Sequence, residues 1–443
     1  MSGEGATAGG DAASPRAADP TRAVAGVQDG GKGTRESGKR RNTPLLFALA
    51  AVFAFSLGAR IGLVLQLPAG TATTPRGLYG FDDEPAHLAY AAFLLEHGRL
   101  PVQTARITDP DAFTRNEFEY HQPPLYYILT AALARLTGLE RGSGLLALGR
   151  LLNVFLSLVS AWVILLLLRE LGAGTRLSAG VLIVYALVGS SIYQGTVFGN
   201  DALSWFLLWW ILLLTTRGIG RNTTVLIIAL TLAHYTKSTV FIVYPVLAWA
   251  AVEEIRGERR QGHLGGYFAV FIVPLVFAGP WYLRNLLLYG GVIPFFPFFA
   301  EQGWKTPEAS AHVLDRLIHL PHQFFFGVFF SPRRKFFDVV NKPFYLWSAW
   351  ACAYGVFRFR AWLRRGRAAR LALVLLATTA GAFLLFSASF GYVEARTLFP
   401  ALPVLLLLLV RSLWAGPGER QGEISLAFFA VLMAAGWVHA LFL

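Results

Sequence analysis

The run TPLLFALAAVFAFSLGARIGLVLQL, residues 43–67, carries a single charge, Arg60. A hydrocarbon core about 30 Å thick needs roughly 20 apolar helical residues to cross it, and this run meets that length. A second, ARLALVLLATTAGAFLLF at 369–386, does the same. In lipid a backbone must satisfy its own hydrogen bonds, so such segments are helices or closed barrels. Runs this long and continuous read as helices. The chain is therefore an all-α polytopic membrane protein. Its 15% charged residues agree, against about 25% in soluble proteins.

The net charge of +13 does not point to nucleic acid. The basic residues fall in short loops between apolar segments, the pattern that marks cytoplasmic loops. A lone cysteine, Cys352, excludes an intramolecular disulfide and a cysteine metal site. Residues 1–42 are rich in Gly, Ala, Ser and Asp without apolar periodicity and read as a disordered cytoplasmic tail. Residues 43–443 form the membrane domain.

After a first span at 44–66, further spans fall near 145–168, 177–197, 201–216, 222–236, 238–252, 264–283, 343–357, 370–388, 398–413 and 424–442. The segment PPLYYILTAALARL, 123–136, is too short for an ordinary span and suits an interfacial or re-entrant helix. Loop charge supports leaving it out. If it does not cross, Arg169, Arg176, Arg217, Arg221, Arg256 and the run Arg358 to Arg370 all face the cytoplasm. About eleven spans result, with the N-terminus inside. Two long outer loops remain, 68–144 and 284–342.

Most of the chemistry-bearing residues gather on that outer side. GFDDEPAHLAY, 80–90, places Asp82, Asp83 and Glu84 ahead of a short amphipathic helix that stops at Gly98. An N-cap would explain one acid. Three adjacent acids at a low-dielectric boundary raise one pKa, which suits a general base. His121 precedes the double proline of EYHQPPLYYIL and reads as a phosphate or hydroxyl contact, or an interfacial histidine. Asp201 stands at a span start with Asn200 as the expected cap, and reads as part of an ordinary N-cap or as a second carboxylate. Lys237 sits in a link too short to leave the membrane, where an ionisable residue is a functional candidate or snorkels to headgroups. Arg284, in GPWYLRN, is an interface anchor or a bidentate phosphate ligand. Arg396 follows Glu394 in a brief outer turn. No nucleotide-binding or hydrolase motif accompanies them, and no cytoplasmic domain is large enough to hold a nucleotide-sugar.

In order, the chain offers an Asp-Glu pair after the first span, PPLYY, Asn-Asp at a span start, a lysine near an outer helix end, WYLRN, and Arg-x-x-x-Pro before a late span. This resembles the family 39-like, C-type (GT-C) integral membrane glycosyltransferases, which include protein O-mannosyltransferases and lipid A aminoarabinose transferases. The resemblance covers about residues 44–415. It implies transfer of a sugar from a polyprenyl-phosphate-linked donor on the extracytoplasmic face. On that pattern Asp83 matches the base and Glu84 completes its pair. Asp201 matches the second carboxylate, Lys237 the lysine near the lipid phosphate, and Arg396 the late arginine. Asp82 precedes the pair here, so the base is Asp83 or Asp82. His121 stands where some relatives carry lysine.

The reading is an inverting displacement. A carboxylate deprotonates an acceptor hydroxyl, and the leaving polyprenyl phosphate is stabilised by Lys237, Arg284 and Arg396. The acceptor is a protein, lipid or glycan hydroxyl. The acids permit Mg²⁺ or Mn²⁺ without requiring either. The alternative is a multi-pass transporter or lipid flippase, because buried charges also mark substrate pathways.

Overall fold

The computed structural model describes residues 31–67, 83–103, 119–257, 264–293, 354, 357, 366–390, 395–414, 423–431 and 433–434. The chain divides into two units, Met1–Phe47 and Ala48–Leu443. The first is helical over residues 31–47, so a helix begins inside the segment read as a tail. The second carries the core and the site.

Every described element is helical. In chain order they are α1 (Gly31–Gln66), α2 (Glu84–His97), α3 (Leu125–Thr137), α4 (Gly142–Glu170), α5 (Thr175–Leu187) and α6 (Gly189–Gln194). Next come α7 (Asp201–Arg217), α8 (Ile219–His234), a 3₁₀ turn at Ser238–Val243, α9 (Tyr244–Arg256) and α10 (Leu264–Tyr289). The late part holds α11 (Arg367–Phe390), a 3₁₀ turn at Ala395–Ala401, and α12 (Leu402–Trp414). Among the described residues, five helical stretches are long and apolar enough to cross a membrane: Leu45–Gln66, Gly142–Glu170, Ser238–Arg256, Leu264–Tyr289 and Arg367–Ser387.

Helix α3 has 13 residues, about 20 Å at 1.5 Å each, shorter than a hydrocarbon core about 30 Å thick. The expected spans 201–216 and 222–236 are α7 and α8, of 17 and 16 residues. Helix α8 bends at Asn222, whose φ is −117°. The expected span 177–197 is corrected. It breaks at Val188, where the backbone is extended (φ −60°, ψ 125°), and resumes as the short α6. Beside the break the Ser56 hydroxyl donates to the Ala186 carbonyl at 2.6 Å, and Arg60 serves the segment beyond it. Its guanidinium is buried and donates to the carbonyls of Ser191 (3.0 Å) and Ile192 (3.2 Å). A Cβ at Gly195 would lie 2.3 Å from Arg60 Nη1, so glycine is what lets the arginine in. Apart from residues 354 and 357, the expected span 343–357 lies outside the described residues, as does most of the later part of 424–442.

Helix α7 is buried along almost its whole length, as a helix apolar on all sides must be. It packs between α4 and α8. Its Trp209 indole N–H donates to the carbonyls of Phe399 (3.2 Å) and Pro400 (3.3 Å). Trp205 stacks on Phe399 with ring centroids 4.2 Å apart. These contacts hold the Ala395–Ala401 turn against α7, which brings the distant Arg396 to the start of that helix. On α4, Asn153 Nδ2 donates to the carbonyls of Val197 (2.5 Å) and Gly199 (2.9 Å), shaping the turn that leads into Asp201.

The packing there is close. A Cβ at Gly149 would fall 2.2 Å from the Phe198 ring. Gly149→Ala is therefore expected to destabilise the protein by about 1–3 kcal/mol, read as a lower unfolding temperature in detergent. Unchanged stability would contradict this packing of α4 on the turn.

Candidate active site

Helix α2 starts where the acidic triplet ends. Asp83 occupies the N-cap position, but its side chain caps nothing; only its backbone carbonyl accepts, from Ala86 and His87 N–H, both at 3.1 Å. Capping therefore does not explain the acid. Asp82 lies outside the described residues.

Glu84 is fully buried. Arg150 donates through Nε to Oε1 (2.8 Å) and through Nη2 to Oε2 (2.5 Å). The Phe198 N–H adds a bond to Oε1 at 2.7 Å. Arg150 Nη1 donates to the carbonyls of Leu67 (2.7 Å) and Val64 (3.2 Å). Glu84 is thus committed to a clamp joining the end of α1, α2, α4 and the turn before α7. Its neighbour Asp83 points elsewhere.

Asp83 Oδ2 accepts from Arg396 Nη2 at 3.1 Å. The other arm, Nη1, lies 3.6 Å from Asp201 Oδ2. Asp201 Oδ1 in turn accepts from Lys237 Nζ. Four residues expected from the sequence thus form one chain of alternating charge, Asp83–Arg396–Asp201–Lys237. They come from the head of α2, the late 3₁₀ turn, the head of α7 and the link after α8. Their side chains are between 11% and 24% exposed, open enough for a ligand to compete. Asn200, expected as a cap, instead spends its amide on Gln122 Oε1 (3.3 Å) and the Thr236 carbonyl (3.1 Å).

Two further ionisable groups stand beside this chain. His87 is buried, with Nδ1 2.6 Å from the Tyr127 hydroxyl. Burial pushes its pKa down, opposed by the negative charge of Glu119, Asp83 and Asp201. Glu119 has its Oε2 buried with no hydrogen-bond partner. Burial pushes its pKa up, and His87 opposes that.

Arg284 and His121 are bonded at another corner. Arg284 Nη2 donates to the Pro101 carbonyl at 2.6 Å, and its guanidinium lies 4.9 Å from the Trp281 ring centroid. His121 Nδ1 is 2.9 Å from Gln103 Oε1. The Gln103 N–H bonds to the Tyr289 hydroxyl at 3.1 Å, and Tyr289 lies 5.9 Å from the same guanidinium. One nitrogen of Arg284, Nη1, is buried without a partner.

A family model described as "Predicted membrane protein (DUF2142)" matches residues 94–402. The chain belongs to this DUF2142 family. No curated protein matches it by sequence. Among solved structures, ArnT from Cupriavidus metallidurans bound to undecaprenyl phosphate matches with a TM-score of 0.54 and 17% identity, over 88% of this chain and 63% of that one. The Archaeoglobus fulgidus oligosaccharyltransferase in complex with Zn and sulfate matches with a TM-score of 0.50 and 14% identity, over 89% and 52%. The same organism's AglB, in complex with an inhibitory peptide and a dolichol-phosphate, gives 0.50 and 14%, over 91% and 55%. The chain thus spans about half to two thirds of the length of these proteins. At such identity the likeness is one of fold, and the fold is that of the GT-C glycosyltransferases.

The Asp83 and Asp201 carboxylates of this site are engaged by cationic side chains. Among the described residues no group of three His, Cys, Asp or Glu side chains is placed to hold a metal.

Two participants escaped the sequence reading. Glu119 follows Glu117 in a polar loop, with no span beside it to mark its depth. Arg150 did carry a signal, as a charge inside an apolar span.

Proposed function

We propose that this protein transfers a sugar from a polyprenyl-phosphate-linked donor to an acceptor hydroxyl at the extracytoplasmic membrane face, with inversion. The observation that carries the reading is the charge chain Asp83–Arg396–Asp201–Lys237. Two cations are held at one point by two carboxylates, where together they can face a donor phosphate. A phosphate accepts charge-assisted bonds from arginine and lysine more strongly than a neutral group does. Charge then builds on the leaving phosphate as the glycosidic bond breaks, and the same cations stabilise it. No acid catalyst is needed for such a leaving group. A carboxylate of the cluster deprotonates the acceptor. The acceptor is a protein, lipid or glycan hydroxyl.

Position supports transfer over transport. Asp201 opens α7 and Arg217 closes it, about 25 Å away at 1.5 Å per residue. At that far end lies another charged group, in which Glu254 accepts from Arg367 and from the N–H groups of Ile219 (2.9 Å) and Gly220 (3.2 Å). These two charged groups thus sit at opposite ends of α7. The basic loops at the far end suit the cytoplasm, which supports the Asp201 end as the outer one.

Donor engagement is tested by binding. Undecaprenyl phosphate is expected to raise the unfolding temperature of the purified protein, and to raise it much less in Arg396→Ala. Equal stabilisation of both proteins would remove Arg396 from the phosphate site.

A further inference from the structure

We infer that Glu119 is the group that takes the proton from the acceptor hydroxyl, and that Asp83 and Asp201 serve to hold the phosphate-binding cations. The inference rests on the transfer reading above and names its base.

The first argument is one of occupancy. Glu84 is bound bidentately by Arg150. Asp83 is paired with Arg396, and Asp201 with Lys237 and Arg396. A carboxylate held by a cation resists protonation, because taking the proton gives up the pair. Glu119 differs. Its Oε2 is buried and has no hydrogen-bond partner. A buried acceptor left unmatched is costly, and such exceptions call for an explanation such as a catalytic role. An acceptor hydroxyl donating to Oε2 would complete it.

The second argument is placement. Glu119 opens a turn in which Gln122 N–H donates to its carbonyl at 3.0 Å. That turn is held to the site from two sides. Gln122 Oε1 accepts from Asn200, the residue before Asp201, and Asn200 also bonds to Thr236, the residue before Lys237. The Gln122 carbonyl accepts from the Tyr90 hydroxyl of α2 at 3.2 Å. The charged and titratable groups facing Glu119 are Asp83 and His87 from α2, Lys237 after α8, Arg396 from the late turn and Tyr127 from α3. Burial also raises the Glu119 pKa from its ordinary 4.5, toward the range in which a base works at neutral pH.

The step balances without another reactant. The acceptor O–H bond breaks, and its proton goes to Glu119 Oε2. The freed oxygen pair forms the new bond to the anomeric carbon. The carbon–oxygen bond to phosphate breaks, and its electron pair leaves on the phosphate facing Lys237 and Arg396.

The test is Glu119→Gln in membranes supplied with radiolabelled polyprenyl-phosphate sugars. Turnover is expected to fall about 100-fold or more, while stabilisation by undecaprenyl phosphate persists. Wild-type activity should rise with pH along an acid limb lying above 4.5, because the base must lose its proton. Glu119→Gln should abolish that limb, Asp83→Asn should keep it, and Glu119→Asp should restore part of the turnover. Wild-type turnover in Glu119→Gln, or loss of the limb in Asp83→Asn instead, overturns the assignment and leaves the transfer reading intact. A wild type that moves no sugar from any donor overturns both.

Discussion

Arg150→Leu is expected to leave little folded protein. Both members of the Arg150–Glu84 pair are essentially without exposure, at 1% and 0%. Removing one partner strands a buried charge, at a cost of about 3–5 kcal/mol. The carbonyls of Val64 and Leu67 lose their donor as well, and each buried unmatched group adds about 1–3 kcal/mol. Domains are stable by only about 5–15 kcal/mol, so the loss is of the order of the whole. The double variant Glu84→Leu/Arg150→Leu should recover part of it, because no charge is then stranded. Size-exclusion of detergent-solubilised protein reads the outcome. The result also separates two roles for Glu84. A catalytic glutamate could be neutralised to Gln with normal yield and lost activity; a clamp loses yield first. Normal yield of Arg150→Leu would sink the clamp.

The second large effect is catalytic. Lys237→Met should lower transfer by about 10²–10³, the range seen when one preorganised donor is removed from a developing negative charge. Folded yield should change little, because the Lys237–Asp201 pair is partly exposed, at 20% and 11%, and such pairs contribute modestly to stability. Asp201→Asn in the same protein should then add less than it costs alone, since the two act as one unit. Initial rates at matched abundance measure this. A Lys237→Met protein as active as wild type would take the lysine out of the mechanism.

Much of this site could be read from charge set against an apolar background. Asp83, Asp201, Lys237 and Arg396 each interrupt or border an apolar run, and they meet in space. Their pairing was not legible, because it depends on the Trp209 and Trp205 contacts that dock the late turn on α7. The break at Val188 escaped for a similar reason. Hydropathy reports composition, whereas the carbonyls around the break are met by Ser56 and Arg60, far away in the chain. The capping expectations for Asp83 and Asn200 placed both residues correctly at helix starts. Local sequence could not reveal that their side chains bond to Arg396, Gln122 and Thr236 instead. Glu119 gave no local sign at all, and only the burial of its unmatched oxygen exposes it.

The most direct measurement is transfer itself. Membranes containing wild-type protein, Lys237→Met or Arg396→Ala at equal abundance are supplied with a panel of radiolabelled polyprenyl-phosphate sugars. The account predicts that label from one donor moves to an acceptor with wild type and drops by at least tenfold in each variant. Transfer no higher than in empty membranes across the panel, or equal transfer by all three proteins, would contradict it.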